Sequence, residues 1–129
     1  MKKGLSDSNL QSMWRKACRI IHRNRCFVCG TSGLQTTLET HHYIKRNNLL
    51  TRHAWQNGFP SCAKCHRYLH TKAGEQKIVA WLAKNNWLEY LHERETQSKQ
   101  WFVDRGITRD DYLRQMYNEL KKIINTIKG

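Results

Sequence analysis

The 129-residue chain contains a single proline, only ten acidic residues and no long hydrophobic run. With one proline and seven glycines, the composition excludes collagen-like and low-complexity chains, so we expect a folded protein. The longest apolar stretches span a few residues, too few for a transmembrane helix or a secretory signal. The sequence shows no myristoylation or prenylation motif. We therefore expect no membrane attachment and a cytoplasmic location.

The shortage of acidic residues leaves a large surplus of positive charge. Lysine and arginine number 23 against ten acids, which gives a net charge of +13 and an isoelectric point near 9.9. Twelve of the basic residues and only two of the acidic ones lie within residues 1–70. The length fits a single domain over residues 1–129. A field of this strength on one small domain predicts a polyanionic partner, and we expect DNA.

The five cysteines form a pattern typical of metal binding. Four of them make two Cys-x-x-Cys pairs separated by 32 residues, and two thiolates at this spacing on a tight turn can face one ion. Because nothing indicates export, we predict a structural zinc rather than disulfides or free thiols, with ligands Cys26, Cys29, Cys62 and Cys65. Cys18 lies outside the pattern and is predicted to be a small buried apolar residue.

Hydrophobic periodicity predicts an α+β fold that is mainly helical. Apolar residues recur at helical spacing over residues 8–24, which predicts a basic N-terminal helix capped by Asp7 or Ser8. Residues 36–43 are rich in β-branched and aromatic residues, which is typical of a strand. A second strand and a helix are predicted to follow, at residues 58–61 and 63–69.

The last third of the chain is predicted to be a helical extension over residues 74–127. Asn85 and Asn86 mark a bend, and Thr108 begins a capping box that opens the final helix. This helix carries an apolar stripe that can pack on the rest of the domain or on another subunit, so both a monomer and a homodimer are open. The stripe comprises Leu113, Met116, Tyr117, Leu120, Ile123, Ile124 and Ile127.

Histidines cluster between the cysteine pairs and directly after them. If residues 36–43 form a strand, His41 and His42 point to opposite faces, so one can face a metal and the other a substrate. His66 and His70 are four positions apart on the predicted helix. They therefore share one face and can bind the same ion.

A neutral His42 is suited to general-base chemistry, since the unperturbed pKa of histidine is about 6.5. The ring would need a partner that fixes its tautomer, and Asn57 is a candidate for that bond. Asn57 precedes Gly58, however, and an Asn-Gly pair is also a strong turn signal. The histidines predicted to have only structural roles are His22, His53 and His92.

These residues together resemble the HNH endonucleases, also called ββα-metal or His-Me finger nucleases, in their zinc-stapled branch. The resemblance covers residues 26–70 and joins the cysteine pairs to Leu-Glu-Thr-His-His at 38–42, to Asn57 and to the two later histidines. The order of these elements also resembles colicin DNases. A weaker resemblance, to phage recombination nucleases of the NinG and Rap type, runs to about residue 95, although those proteins generally lack the doubled histidine and the last one.

The resemblance implies a small zinc-bound ββα-metal finger with flanking helices. It further implies a metal-dependent DNA endonuclease of a phage or mobile element, acting in the host cytoplasm if phage-encoded and leaving 5′-phosphate and 3′-hydroxyl ends. The implied catalytic residues are His42 as general base, Asn57, His41 and His66. His41, His66 and His70 are implied as ligands of a divalent ion.

Magnesium or manganese is the expected catalytic ion, although a histidine-rich shell can also favour nickel or zinc. The resemblance implies that the hairpin and helix lie against the minor groove of DNA, and we expect most contacts to be made to the phosphate backbone. The predicted contact residues are Arg15, Lys16, Arg19, Arg23, Lys45, Arg46 and Arg52.

Two alternatives remain open from the sequence. The NinG and Rap resemblance suggests a resolvase for branched DNA such as the Holliday junction, which would require two active sites and therefore a dimer. A zinc-finger DNA-binding module without catalysis would explain the charge and the four cysteines equally well. This alternative gives no function to His41, His42, Asn57 and His66, whose arrangement would then be a coincidence.

Overall fold

The computed structural model describes residues 5–126, apart from the side chains of Ser98 and Lys99. It confirms an α+β fold that is mainly helical, and one turn of 3-10 helix at Trp55–Asn57 leads into the second strand. None of the helices in this range is both long and apolar enough to cross a bilayer. In chain order the main elements are α1 (Asp7–Ile21), β1 (Glu39–His42), β2 (Gly58–Ser61), α2 (Ala63–Leu69), α3 (Lys72–Lys84), α4 (Leu88–Arg105) and α5 (Arg109–Asn125).

Helix α1 starts one residue earlier than predicted. The hydroxyl of Ser6 accepts a hydrogen bond from the Asn9 amide at 3.2 Å, so Ser6 is the N-cap. The prediction of Asp7 or Ser8 as the cap was therefore wrong. Asp7 lies in the first turn instead, where its negative charge faces the positive end of the helix dipole.

The other end of α1 falls short of the prediction. The helix stops at Ile21 rather than at residue 24, because Arg23 and Asn24 adopt left-handed conformations with φ of 58° and 54°. The chain then turns, and Arg25 forms a β-bridge with Ser32. Arg23, predicted as a DNA contact on the helix, lies in this turn.

The two strands form an antiparallel hairpin-like sheet in which His41 is paired with Phe59 and His42 with Gly58. The strand predicted over 36–43 is shorter, since the Thr36 amide donates to the Ser32 carbonyl and keeps the preceding residues in a turn. The predictions for β2 and α2 are confirmed. A side chain at Gly58 would collide with Cys18 and Trp14, so glycine at this position lets α1 lie directly on the sheet.

The C-terminal helices follow the prediction closely. The bend at Asn85-Asn86 separates α3 from α4, and Thr108 and Asp111 form the predicted capping box of α5. The apolar stripe of α5 packs inside the chain: Leu113 and Leu120 share a core with α1, which matches the core interpretation. Of the predicted range 74–127, Ile127 lies outside the described residues.

Candidate metal and catalytic site

Two turns of the chain bring four sulfur atoms together. Their Sγ atoms all lie within 4.8 Å of one another, and the Sγ atoms of Cys29 and Cys62 are 3.8 Å apart. The first turn is fixed to β2 by a hydrogen bond from the Phe27 amide to the Pro60 carbonyl at 2.7 Å. The second pair opens α2, with Cys62 at its N-cap and Cys65 in its first turn. The predicted ligand set is thus assembled in space.

The electrostatics of this cluster favour a soft cation. Hydrogen bonds from the Thr31 side chain and backbone lower the pKa of Cys29 to about 6, which favours the thiolate. Burial, followed by the neighbouring sulfur atoms, raises the pKa of Cys65 to about 12. Four sulfur atoms at these distances fit a zinc ion, which takes four thiolates tetrahedrally and neutralises their charge. Cys18 is fully buried elsewhere, as predicted.

Three histidines form the second cluster. His41 lies on β1, His66 on α2 and His70 at the C-cap of α2, and one ring nitrogen of each lies within 4.8 Å of the others. Burial, with the charges of the other histidines adding to it, lowers the pKa of His41 to about 4. Its ring is therefore neutral near pH 7 and has a lone pair for an ion. Three imidazoles fit a divalent metal that keeps open positions.

Glu39 supports this cluster, although the sequence pattern did not single it out. Its carboxylate accepts a hydrogen bond from Nδ1 of His66, which leaves Nε2 of that ring as the atom with a lone pair. A carboxylate behind a ligating histidine fixes the tautomer and raises the basicity of the ligand. The signal was present in the sequence, because Glu39 and His41 are two positions apart and share one face of β1.

His42 is held apart from the three histidines by the alternation of the strand. Its ring stacks on the indole of Trp14 in α1, with centroids 4.0 Å apart and planes 13° from parallel. Nε2 lies 3.2 Å from the Arg52 carbonyl. A carbonyl can only accept, so this contact requires hydrogen on Nε2 and leaves the lone pair on Nδ1.

The protonation state of His42 agrees with this tautomer. Burial lowers its pKa to about 4, and although the bond to the Arg52 carbonyl opposes the shift, the positive charges of Arg46, Arg52 and Arg15 reinforce it. The ring is therefore neutral near pH 7. A neutral, fixed imidazole with one free lone pair can accept a proton.

The predicted bond between Asn57 and His42 was wrong. Asn57 is fully buried, and its amide is occupied by the loop that follows β1. Its Oδ1 accepts from the Ile44 amide at 2.7 Å, and its Nδ2 donates to the carbonyls of Ile44 and Thr51 at 3.0 and 3.2 Å. Asn57 thus clamps the loop that ends at Arg52, and the Arg52 carbonyl makes the orienting bond instead.

Asp7 ties the same loop to the start of α1. Its carboxylate is 2.9 Å from the Arg46 guanidinium, 3.1 Å from that of Arg52 and 3.2 Å from Nε2 of His53. The Arg52 side chain is only 21% exposed and also donates to the Arg46 carbonyl. Arg52 therefore serves first as an anchor of the loop, and its contact with DNA stays a prediction.

A cleft of about 450 Å³ brings the two kinds of histidine to one surface. His41, His42 and His70 all line it, although His41 and His42 lie on opposite sides of β1. Lys45, a predicted DNA contact, lies on the wall of the cleft. A phosphate group that entered here would meet His41, His42, His70 and Lys45, and two carboxylates, Glu75 and Glu95, also line the cleft.

The remaining predicted residues lie outside this cleft. Arg15 is exposed on α1, whereas Lys16, Arg19 and Arg23 line a separate surface cleft. The histidines predicted to be structural each have a partner elsewhere. His22 packs against Phe27, Phe59 and Trp81, His53 contacts Asp7, and His92 bonds the Tyr43 hydroxyl.

Comparison with known protein families finds a match to the segment that carries both clusters. The sequence model of the HNH endonuclease family matches residues 26–72. The match includes both cysteine pairs, both adjacent histidines and the later two, and it confirms the HNH resemblance over this segment. No curated protein and no solved structure matches the chain.

Proposed function

We propose that this chain is a metal-dependent endonuclease that hydrolyses phosphodiester bonds of DNA. The observation that carries the proposal is the cleft lined by a fixed, neutral His42 together with His41 and His70, two of the three clustered histidines. The family match over residues 26–72 and the net charge of +13 support a nuclease that acts on a polyanion.

His42 is the general base in this proposal. Its Nδ1 takes a proton from a water molecule whose oxygen attacks the phosphorus, and the bond from phosphorus to the 3′ oxygen breaks. The leaving oxygen takes up a proton from solvent, so the products are a 5′-phosphate and a 3′-hydroxyl. A divalent ion, when bound by the three histidines, supplies positive charge for the phosphate oxygens and the departing oxygen.

The surroundings of His42 keep its ring in the reactive state. Trp14 covers one face of the imidazole, and the Arg52 carbonyl holds the tautomer. The loop that carries Arg52 is fixed from two sides, by Asn57 and by Asp7. Helix α1 therefore contributes to catalysis by positioning the base and not only by its positive charge.

The test is cleavage of supercoiled plasmid, linear duplex, single strand and a four-way junction, each with magnesium, manganese, nickel or zinc. We expect cleavage with magnesium or manganese, and we expect His42→Ala to lower the rate by about 10²–10⁴-fold, the usual contribution of a general base. DNA affinity should stay close to wild type, because it rests on phosphate contacts. Near-wild-type cleavage by His42→Ala would exclude His42 as the base.

The control for this experiment is Gln115→Ala, which removes an exposed side chain of α5 outside both clusters and the cleft and should leave cleavage unchanged. The same four substrates test the resolvase alternative, which requires that the junction be cut better than a linear duplex of the same sequence. A purified protein that binds DNA but cuts none of the substrates with any ion would favour the zinc-finger module.

A further inference from the structure

A second concave surface lies between the first cysteine turn and α3, and we call it the basic groove. Its volume is about 520 Å³, and it shares no lining residue with the cleft at His42. Its interior is aromatic: Phe27 and Trp81 are half-buried, with ring centroids 6.4 Å apart and planes at 87°. Its rim is positive, with exposed side chains at Arg25, Lys77 and Lys84.

The positive charge continues beyond the groove. A neighbouring cleft of about 420 Å³ is lined by three more cations, Lys16, Arg19 and Arg23, together with Asn24. Because Asn24 and Arg25 are consecutive, the two surfaces adjoin. Among the residues that the structure describes, neither lining includes an aspartate or a glutamate. Six cations therefore line these two clefts.

We propose that the basic groove binds an unpaired DNA strand, with a base stacked on Trp81 or Phe27 and the flanking phosphates at Arg25, Lys77 and Lys84. Bases in a duplex are stacked on their neighbours and cannot reach recessed rings, so a duplex would use only the rim. A positive track beside aromatic side chains is the arrangement that binds single strands without sequence preference. The proposal goes beyond cleavage and gives the chain a second contact with DNA.

The geometry of the rim prepares it for phosphate. The Arg25 guanidinium donates to the Gly30 carbonyl at 3.0 Å, which holds it at the mouth of the groove. Lys77 Nζ lies 5.8 Å from the centroid of the Phe27 ring, so charge and ring surface are presented together. A nucleotide bound in the groove would therefore contact a cation through its phosphate and an aromatic ring through its base.

The first arm of the test removes charge. Binding of a labelled oligo(dT) of about 12 nucleotides is measured by fluorescence anisotropy, with the zinc-loaded full chain and no added magnesium or manganese. We expect Lys77→Gln with Lys84→Gln to weaken binding about tenfold and to reduce the salt slope by about 1.4, since each single-strand phosphate contributes about 0.7. The matched control removes two exposed lysines of α5, Lys121→Gln with Lys122→Gln, and should weaken binding about twofold or less.

The second arm removes stacking. Trp81→Leu should weaken oligo(dT) binding about fivefold or more, with the salt slope unchanged, and should not weaken binding of an abasic oligomer of the same length. Trp81 also packs against Phe59, so a thermal melt must show that this variant is folded. If Trp81→Leu is not folded, oligo(dT) binding by the lysine variants alone tests the proposal.

Two results would overturn the proposal. One is an equal loss of oligo(dT) affinity in the groove pair and in the α5 pair. The other is an equal loss of affinity for a blunt duplex and for oligo(dT) in the groove pair, which would make the groove part of a duplex path. Both results are binding measurements made without added magnesium or manganese, so they are distinct from a failure of the proposed nuclease activity, which is measured by cleavage.

Discussion

The cysteine and histidine clusters share α2 but differ in what they leave free. Cys62 and Cys65 lie at the start of this helix, and His66 and His70 follow on it. The cysteine cluster offers four ligands, which close a tetrahedral shell, whereas the histidine cluster offers three. A closed shell has no position for a substrate, and an open shell does. We therefore propose that the first cluster serves folding and the second serves chemistry.

We expect the histidine cluster to depend on the cysteine cluster, and the cysteine cluster not to depend on the histidine cluster. An ion bound by the four sulfur atoms would join the start of α2 to the first cysteine turn, and the histidine cluster depends on the position of α2 because His66 lies on this helix and His70 is its C-cap, whereas His41 lies on β1. Loss of the sulfur-bound ion should therefore remove both the fold and the activity. Loss of the histidine-bound ion should remove activity alone.

Cys65→Ser should give the largest effect. Structural zinc contributes about 10–16 kcal/mol in small zinc-binding domains, which exceeds or matches the stability of most domains. We expect loss of the cooperative thermal transition followed by circular dichroism. Cys18→Ala is the matched control: this buried cysteine lies outside the cluster, and its truncation should cost about 1 kcal/mol. A Cys65→Ser protein that melts like the wild type would contradict the assignment.

His66→Ala should separate chemistry from folding. We expect at least about a hundredfold loss of cleavage, because the ion supplies several kcal/mol of charge stabilisation, while the melting transition stays within about 1 kcal/mol of wild type. Plasmid cleavage and a thermal melt of the same preparation measure both. If this variant lost its zinc and unfolded as Cys65→Ser is expected to, the two clusters would not have separate tasks.

Asn57→Ala should lower both the stability and the cleavage rate, since Asn57 holds the loop that orients His42. Losing three buried hydrogen bonds should lower the free energy of unfolding by about 2–4 kcal/mol, and cleavage should fall because the Arg52 carbonyl is no longer fixed. Denaturant melts measure the first effect. Asn118→Ala, on the exposed face of α5, is the control. Lost cleavage at unchanged stability would instead favour a direct role in catalysis.

Glu39→Gln should give the smallest effect, and it tests whether Glu39 supports the metal ligand His66. Weakening the support of His66 should raise the metal concentration for half-maximal cleavage about 10–100-fold, with the maximal rate recovered at high metal. A metal titration of plasmid cleavage measures this, and Glu89→Gln, an exposed glutamate on α4, is the control. A defect that added metal does not rescue would mean that Glu39 does not act through the ion.

The sequence predicted features that depend on local spacing. The two cysteine pairs, the alternation of His41 and His42, the strand at Gly58–Ser61 and the capping box at Thr108 all follow from patterns of a few residues, and the structure contains each of them. Periodicity and cap chemistry act over one or two turns. A single sequence therefore carries enough information to place them.

Other features depend on contacts between distant residues. The end of α1 was missed because Arg23 and Asn24 take left-handed conformations without a glycine signal. The partners of Asn57 and Asp7 were missed because they lie on a loop whose path is set by α1 and β2 together. Side-chain partners of this kind are chosen by tertiary packing, which residue spacing does not encode.

The most direct test of the two assignments combines metal analysis with cleavage on the same dialysed preparations. We expect about one zinc per chain in both the wild type and His41→Ala, with plasmid cleavage only in the wild type and only after magnesium or manganese is added. Loss of the zinc from His41→Ala, or cleavage by that variant at the wild-type rate, would contradict this expectation.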